Sequence, residues 1–280
     1  MTHRTWLITG ISSGFGRMMA STLLARGERV AGTVRNLDAV ADLKEAHGDA
    51  LWLAVLDVAD FNAIRPVIDR AFAAWGRIDV IVSNAGYGLF GAAEEASDEQ
   101  VLHQIATNLL GSIQVVRGAL PHLRVQGGGR ILQLSTVGGQ AAFPGAALYH
   151  ASKWGIEGFI DSVAQEVAPF GIGCTLIEPG GARTGFRYRS AQLAPHMPDY
   201  DTSPAAHARR MIEAQTAVPP GNPERMVAAM IASVDEPMAP RRLALGSDAY
   251  SAMHRQLTER LAALEAQREL AHSTDAPVMW

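Results

Sequence analysis

The chain has 280 residues, 48% of them hydrophobic, and its mean hydropathy of +0.05 is typical of a globular protein with a large core. Its formal net charge of -4 argues against nucleic acid as a partner, because nucleic-acid-binding proteins usually carry a basic surplus. The single cysteine, Cys174, excludes an intramolecular disulfide and leads us to expect a reducing, cytoplasmic location.

Apolar runs and amphipathic segments alternate along the first part of the chain. The predicted strands are 6–9, 29–34, 51–56 and 78–82, and the predicted helices between them are 16–26, 39–45 and 64–75. Strands that read as apolar runs between helices are typical of a parallel sheet that is covered on both faces.

The alternation continues along the chain and loosens after Pro179. The further predictions are helices at 100–118, 149–168, 204–217, 223–234 and 247–271, and strands at 130–134, 173–177 and 242–245. No internal repeat and no linker between domains is evident. We therefore predict an α/β fold, a Rossmann-type doubly wound parallel sheet with helices on both faces, in a single domain spanning 1–280.

Neither a membrane span nor a metal site is expected. The longest uncharged stretch, 131–152, is interrupted by glycines, Pro144 and two glutamines, so it does not resemble a transmembrane helix. The apolar run at 6–9 is too short for a signal peptide.

A glycine-rich loop follows the first predicted strand and opens the first predicted helix. In this position, backbone N–H groups and the positive end of the helix can bind a pyrophosphate. The spacing is G-x-x-x-G-x-G, and on glycine spacing alone an ordinary turn is the alternative. The predicted dinucleotide contacts in this loop are Gly10, Ser12, Ser13, Gly14, Phe15 and Gly16.

The end of the second strand bears on the choice of dinucleotide. An acid there would bind the ribose 2′-OH of NAD(H), but this sequence has Arg35 and Asn36. Arg35 can pair with the 2′-phosphate of NADP(H), and a solvated surface arginine is the alternative. We favour NADP(H) over NAD(H).

Tyr149 and Lys153 are four residues apart near the start of a predicted helix, so they share one face. A nearby ammonium favours the phenolate, and a tyrosine influenced in this way can take a proton from an alcohol or give one to a carbonyl oxygen. By itself this spacing is weak evidence, because such pairs also occur on solvated helix faces.

Together with its other motifs, the chain resembles the short-chain dehydrogenase/reductase family. The matching motifs, in the order of the family, are residues 9–16, Asp57 with Val58, residues 83–86, Asn108, residues 134–139, residues 149–153, and Pro179 with Gly180 and Thr184. Each motif is weak alone, but their common order is specific.

The resemblance implies a role for each matching residue. Asp57 would bind the adenine beside Val58, although a helix N-cap is the alternative. The residues Asn84, Ala85 and Gly86 would flank the dinucleotide, and Pro179, Gly180 and Thr184 would position its nicotinamide end.

Asn108 would hold a water that passes protons to Lys153, or would merely bind backbone within its own helix. Lys153 would also bind the nicotinamide ribose, with Tyr149 beside it.

One position departs from the family pattern. The family places a serine thirteen residues before the tyrosine, and 149 − 13 gives Thr136 here. Ser135 is one position too early, and adjacent residues leaving a strand point to opposite faces. We therefore expect the Thr136 hydroxyl to face the substrate.

These observations predict an oxidoreductase that transfers a hydride between NADP(H) and a carbonyl or alcohol carbon of an apolar small molecule. The alternatives are the same chemistry with NAD(H) and a dinucleotide-binding regulator without turnover. The resemblance also implies a homodimer or homotetramer formed through helices 100–118 and 149–168, with ordinary packing of their apolar faces against the sheet as the alternative. The long, proline-rich connection at 185–223 is predicted to be a mobile lid over the substrate, with a static packed loop as the alternative.

Overall fold

Seven parallel strands form the centre of the protein in a computed structural model that describes residues 3–214 and 218–276, with backbone only at 187–188. In chain order, the strands of the described residues are β1 (Thr5–Thr9), β2 (Arg29–Val34), β3 (Leu51–Val55), β4 (Val80–Ser83), β5 (Gly88–Phe90), β6 (Gly129–Leu134), β7 (Ile172–Pro179), β8 (Ala191–Leu193) and β9 (Arg242–Leu245), of which β5 and β8 lie outside the central sheet. The central sheet has the order β3-β2-β1-β4-β6-β7-β9. Since the chain runs outward from β1 to β3 and resumes at β4 on the other side, a crevice opens beyond β1 and β4.

Helices cover both faces of this sheet. They are α1 (Gly14–Ala25), α2 (Ala41–His47), α3 (Phe61–Trp75), α4 (Asp98–Ile105), α5 (Ser112–Val125), α6 (Ala147–Val167), α7 (Ala206–Ala214), α8 (Pro223–Ala232), α9 (Ser247–Glu265) and α10 (Arg268–Ser273). One buried apolar cluster joins the sheet to α3, α5 and α6, and the other joins it to α1, α2 and α8. The predicted doubly wound α/β fold is confirmed.

The sequence signals at the helix ends agree with these boundaries. Ser97 and Gln100 form a reciprocal cap at the start of α4. Asn222 accepts a hydrogen bond from the backbone N–H of Arg225 at the start of α8, where Pro223 occupies the first turn. The boundaries of the strands differ from the predictions by one or two residues, which is the ordinary uncertainty of element ends.

Three predicted elements differ from the structure. The helix expected at 100–118 is α4 and α5 joined by a π-helical segment, Ala106–Gly111, and it continues to Val125. The terminal helix expected at 247–271 is divided into α9 and α10. The helix expected at 204–217 is α7, and residues 215–217 lie outside the described residues.

A second, two-stranded parallel sheet was not predicted. Its strands are β5 and β8, and Leu89 pairs with Gln192. This small sheet attaches the first part of the proline-rich connection to the body near the carboxyl edge of the central sheet. Across the described ranges, no helix combines the length and the apolar character that crossing a membrane requires.

Candidate functional site

The N-cap residue of α1 makes no side-chain hydrogen bond to the backbone N–H groups at the start of this helix. Ser13 occupies the N-cap position but its hydroxyl makes no capping hydrogen bond, and the first turn of α1 contains no acid. Gly10 and Gly14 have positive φ values of 74° and 58°, which favour glycine. A Cβ on Gly14 would meet nothing within 4 Å. The loop is therefore an open cradle of N–H groups suited to an anion.

Asn84 and Thr9 hold this loop against the end of β4. The amide Nδ2 of Asn84 donates to the carbonyl oxygens of Thr9 (2.8 Å) and Gly10 (3.0 Å). The Thr9 hydroxyl accepts from the backbone N–H groups of Asn84 (3.0 Å) and Ala85 (3.1 Å). A Cβ on Gly16 would lie 2.4 Å from Asn84 Nδ2 and from the Gly10 carbonyl oxygen. The sequence motif includes Thr9, but only the structure shows that its hydroxyl ties the two strands together.

Arg35 and Asp57 lie at the carboxyl ends of the neighbouring strands. Arg35 is exposed and forms no ion pair with any residue that the structure describes. Asp57 is exposed and accepts a hydrogen bond from the backbone N–H of Ala59 at 2.9 Å. The N-cap of α3 is Asp60, whose side chain accepts from Asn62. The alternative that Asp57 is the helix N-cap is therefore wrong.

The residues that follow β3 and β4 make close contacts with the π-helical segment. Val58 is buried, and a Cβ on Gly111 would lie 2.6 Å from its carbonyl oxygen. A Cβ on Gly86 would lie 3.0 Å from Asn108 Oδ1. The π-helical segment therefore packs closely against the ends of β3 and β4.

Asn108 is fully buried within the π-helical segment. Its Nδ2 donates to the Tyr87 carbonyl oxygen at 2.7 Å, and its Oδ1 accepts from the Tyr87 N–H at 3.0 Å. A longer contact of 3.4 Å joins Nδ2 to Ser152 Oγ. The amide thus binds the backbone of the loop after β4 and not that of its own helix, so it connects this loop to α6.

Tyr149 and Lys153 lie on the face of α6 that is turned toward the crevice. Lys153 is buried, and its Nζ donates to the Leu134 carbonyl oxygen at 2.9 Å. The same nitrogen lies 5.9 Å from the centre of the Tyr149 ring. The Thr136 side chain lies beside the phenol and acts to lower its pKa, and its Oγ1 donates to the Pro179 carbonyl oxygen at 3.3 Å.

Ser135 points to the opposite side from Thr136. Ser135 is buried, and its hydroxyl donates to Glu157 Oε1, away from the phenol. The structure therefore places Thr136, and not Ser135, against Tyr149. This arrangement agrees with the alternation of side chains expected for residues that leave a strand.

Burial controls the acid–base properties of the two α6 side chains. It raises the pKa of Tyr149 to about 12, and the hydrogen bond with Thr136 opposes this rise. Burial lowers the pKa of Lys153 to about 8, and the negative charge of Glu157 opposes this fall. At neutral pH the phenol consequently holds its proton.

Asp248 supports the segment that follows β7. Its Oδ2 accepts from the backbone N–H of Gly181 at 2.7 Å, and a Cβ on Gly180 would lie 2.3 Å from its Oδ1. Pro179 ends β7, and the Thr184 hydroxyl accepts from the N–H of Phe186 at 3.3 Å. Sequence reasoning missed Asp248, whose only local signal is an acid in the first turn of α9.

Aromatic side chains lie around Tyr149 on the side away from the glycine loop. The ring centre of Tyr149 is 5.9 Å from that of Phe90 and 6.2 Å from that of Phe186. His150 is buried, which lowers its pKa, and its Nδ1 accepts from the N–H of Phe143 at 3.4 Å. A neutral imidazole that holds a loop is a positioning group.

The predicted lid, residues 185–223, is docked on the body in its described parts. Arg209 forms a buried ion pair with Glu95 at 3.2 Å, and Glu95 Oε1 accepts from the N–H of Met197 at 3.0 Å. The Tyr200 hydroxyl donates to Glu94 Oε2 at 2.7 Å. These contacts attach the described parts of this segment to the body, and its role as a mobile lid stays a prediction.

Within 3–214 and 218–276, no three His, Cys, Asp or Glu residues are grouped so that they could hold a metal ion. The crevice therefore combines an anion cradle with a half-buried tyrosine and a buried lysine, beside an aromatic surface.

Comparison with known proteins links this geometry to one family. The sequence profile of short chain dehydrogenases matches residues 4–193. Oxidoreductase BOA17 of Botryotinia fuckeliana is 32% identical over 272 residues, which cover 96% of this chain and 98% of that protein. The 3-ketodihydrosphingosine reductase of Bacteroides thetaiotaomicron is 38% identical over 180 residues, 64% of each chain. A short-chain dehydrogenase structure from Streptomyces avermitilis has a TM-score of 0.91 at 34% identity, covering 98% of this chain and 99% of that one.

Proposed function

The chain belongs to the short-chain dehydrogenase family and is an NAD(P)-dependent oxidoreductase, and we propose that it transfers a hydride between NADP(H) and a carbonyl or alcohol carbon of an apolar small molecule. The observation that carries the proposal is the convergence of Thr136, Tyr149 and Lys153 beside the open cradle of the glycine loop. Bound in the crevice, the dinucleotide supplies or accepts the hydride.

The residues around the crevice fit a dinucleotide. The N-terminus of α1 presents free N–H groups and an unused Ser13 hydroxyl, which suit a pyrophosphate. The space beside Gly14 supports the same assignment. The residues proposed to hold the dinucleotide are Gly10, Ser12, Ser13, Gly14, Phe15, Gly16, Arg35, Asp57, Val58, Asn84, Ala85, Gly86, Tyr149, Lys153, Pro179, Gly180 and Thr184.

Tyr149 is the proposed proton donor in reduction and the proposed acceptor in oxidation. Its raised pKa supports the first role, because a protonated phenol can donate to a carbonyl oxygen that gains electrons. Thr136 would hydrogen-bond the same oxygen and orient it. The Lys153 ammonium would bind the nicotinamide ribose and lower the cost of a phenolate. Asn108 holds the loop after β4, and its predicted part in proton transfer is kept as a proposal.

The preference for NADP(H) rests on Arg35. This guanidinium is exposed at the end of β2, where no acid stands to repel a 2′-phosphate. A bidentate arginine–phosphate contact is a strong, charge-assisted interaction. We therefore propose NADP(H) as the preferred dinucleotide.

The proposed substrate is apolar because Phe90 and Phe186 flank the tyrosine. These two rings come from β5 and from the lid, so a substrate between them would be covered on both sides. The name of the Bacteroides relative, a reductase of a keto-sphingoid base, is in keeping with an apolar ketone. Closure of the lid would exclude water from the reacting carbon.

Self-association and location are also proposals. Leu102 on α4, Leu110 in the π-helical segment and Trp154 on α6 are exposed apolar side chains on the helices expected to pair. This surface supports a homodimer or homotetramer, which light scattering would test. The free, buried Cys174 is in keeping with a cytoplasmic location, which fluorescence microscopy of a tagged chain would test.

Turnover by a tyrosine variant tests the proposed function. Tyr149→Phe keeps the ring and removes the proton, so kcat for reduction of apolar ketones by NADPH should fall by at least about 10²-fold. The dissociation constant for NADPH should change little. Tyr250→Phe, an identical change at an exposed residue of α9, is the matched control. A Tyr149→Phe enzyme as active as the control would refute the mechanism.

A further inference from the structure

Glu157 is a buried carboxylate on α6, one helical turn after Lys153, and only 2% of it is exposed. Its Oε1 accepts from the Ser135 hydroxyl, and its Oε2 accepts from the side chains of Gln140 and Arg242. A buried acid with this many partners is held in one conformation. The proposed reaction assigns no role to Glu157.

The loop after β6 is shaped around this carboxylate. A Cβ on Gly139 would lie 1.8 Å from Glu157 Oε1 and 2.6 Å from Ser135 Oγ. Any other residue at 139 would therefore displace the carboxylate. The acid reaches Ser135 only because position 139 has no side chain.

Ser135 connects Glu157 to two of the proposed catalytic groups. The residue before it, Leu134, presents its carbonyl oxygen to Lys153 Nζ. The residue after it, Thr136, lies beside the Tyr149 phenol and acts to lower its pKa. A hydrogen bond that fixes Ser135 therefore fixes both contacts, because the three residues are consecutive in the chain.

Glu157 follows Lys153 by four residues on α6, so the carboxylate and the ammonium share one helix face and their charges interact. Burial lowers the pKa of Lys153 to about 8, and the Glu157 charge raises it against this effect. Behind Glu157 stand Glu178 on β7 and Arg242 on β9, whose guanidinium contacts both carboxylates. The pKa of Glu178 is raised to about 7 by burial and by the charge of Glu157, against the effect of Arg242.

The groups that face Lys153 come from three elements. Tyr149 and Glu157 are on α6, the Leu134 carbonyl oxygen is at the end of β6, and the Glu178 carboxyl is on β7 behind Glu157. Asp161 lies one turn further along α6 and pairs with Arg242 and Arg241, away from Lys153. Glu157 is therefore the acid placed to act on both the lysine and the loop.

We propose that Glu157 is a positioning residue, whose carboxylate holds the Leu134–Thr136 segment through Ser135 and keeps the Lys153 ammonium charged. The inference rests on the proposed roles of Tyr149 and Lys153. It has two parts that can be tested separately. The first is the hydrogen bond between Ser135 and Glu157, and the second is the effect of the Glu157 charge on Lys153.

Direct titration of Lys153 tests the charge without relying on activity. The chain contains two lysines, Lys44 and Lys153, so selective carbon-13 labelling of lysine gives two signals, assigned with Lys44→Arg. Lys153 should titrate near pH 8 in the unaltered protein. In Glu157→Gln it should titrate at least about one pH unit lower, because a nearby opposite charge has been removed. Lys44 should not move.

Asp161→Asn is the matched control, since it removes a carboxylate from the same helix and from the same arginine. It should leave the titration of Lys153 unchanged. An unchanged titration of Lys153 in Glu157→Gln, or an equal shift in both variants, would overturn the inference. Either result leaves the test of Tyr149 untouched, so the two failures are distinguishable.

Kinetics separate the hydrogen bond from the charge. Ser135→Ala keeps the charge and removes the hydroxyl, so kcat should fall by about tenfold through misplacement. The pH dependence of its kcat should not shift.

Glu157→Gln should shift the alkaline limb of the kcat–pH profile for reduction by at least about one pH unit toward lower pH, because the lysine loses its proton earlier. If Glu157→Gln does not fold, Glu157→Asp retains the charge and should show a lower kcat with an unmoved limb. A Ser135→Ala enzyme with unaltered kcat would overturn the positioning role.

Discussion

Different kinds of contact stabilise the two halves of the crevice. On the dinucleotide side, the glycine loop is fixed by backbone groups and by Thr9 and Asn84, at the adjoining ends of β1 and β4. On the substrate side, Glu95 binds Arg209 and Met197, and the contact with Met197 joins residues 102 positions apart. Neutral side chains bonded to backbone groups stabilise the first half, and charged side chains stabilise the second.

This difference has a functional consequence. The glycine loop tolerates few side chains, because backbone and Asn84 approach Gly16 closely. The predicted lid, residues 185–223, is attached in its described parts by a short strand pair and a few side-chain contacts. A substrate site built in this way can vary without disturbing the dinucleotide site. The two halves should therefore respond separately to substitution.

The largest expected effect is on the dinucleotide half. Gly16→Ala places a methyl group 2.4 Å from Asn84 Nδ2 and the Gly10 carbonyl oxygen. The displaced loop should bind NADPH at least about 10²-fold more weakly, a loss of about 2.7 kcal/mol. Fluorescence titration with NADPH measures this.

Gly158→Ala is the control for this prediction, because a Cβ at this exposed position of α6 would meet nothing within 4 Å. It should bind NADPH normally. Normal binding by Gly16→Ala would show that the loop is more adaptable than its contacts indicate.

A smaller effect is expected from breaking the lid contact. Arg209→Met leaves the Glu95 carboxylate buried without its cation, which costs several kcal/mol locally. The lid should open more often, so KM for ketone should rise by about tenfold, while NADPH affinity stays the same. Limited proteolysis should cut the lid faster, and NADPH with substrate should suppress the cleavage.

Arg210→Met is the control. Arg210 is the exposed neighbour of Arg209, and this substitution removes a single contact with the Asp201 carbonyl oxygen. Its KM and cleavage rate should match those of the unaltered protein. Identical cleavage of free and ligand-bound protein would favour the static loop over the mobile lid.

The smallest effect concerns the choice of dinucleotide. The unaltered protein should bind NADPH at least about tenfold more tightly than NADH, a difference of about 1.4 kcal/mol. Arg35→Asp should reverse this order, since an acid there binds the ribose 2′-OH and repels a phosphate. Arg70→Asp, which changes an exposed arginine within α3, should leave the order of the two affinities unchanged. Equal dissociation constants in the unaltered protein would remove the role of Arg35.

Local sequence patterns predicted the parts of the site that lie within one element or one turn. The spacing of Tyr149 and Lys153 defines a helix face, and the strand alternation distinguishes Thr136 from Ser135. The order of strands and helices predicted the parallel sheet, because continuous apolar runs must be buried on both faces. Each of these inferences uses residues that are neighbours in the chain.

Contacts between distant segments could not be predicted in this way. β5 and β8 are only three residues each and lie about a hundred positions apart, so no periodicity marks them. The π-helical turn around Asn108 and the support of Gly181 by Asp248 likewise depend on which elements meet. Glu157 resembles an ordinary helix glutamate in the sequence, and only the packed fold surrounds it with Ser135, Gln140 and Arg242.

The sequence by itself determined the type of fold, the glycine cradle and the tyrosine–lysine face, because these follow from backbone preferences and periodicity over short distances. The tertiary structure alone decided which carboxylates lie beside these groups and how the lid is attached. The physical reason is that burial and charge act through space, so the pKa of Lys153 depends on Glu157 and on the depth of the core around them.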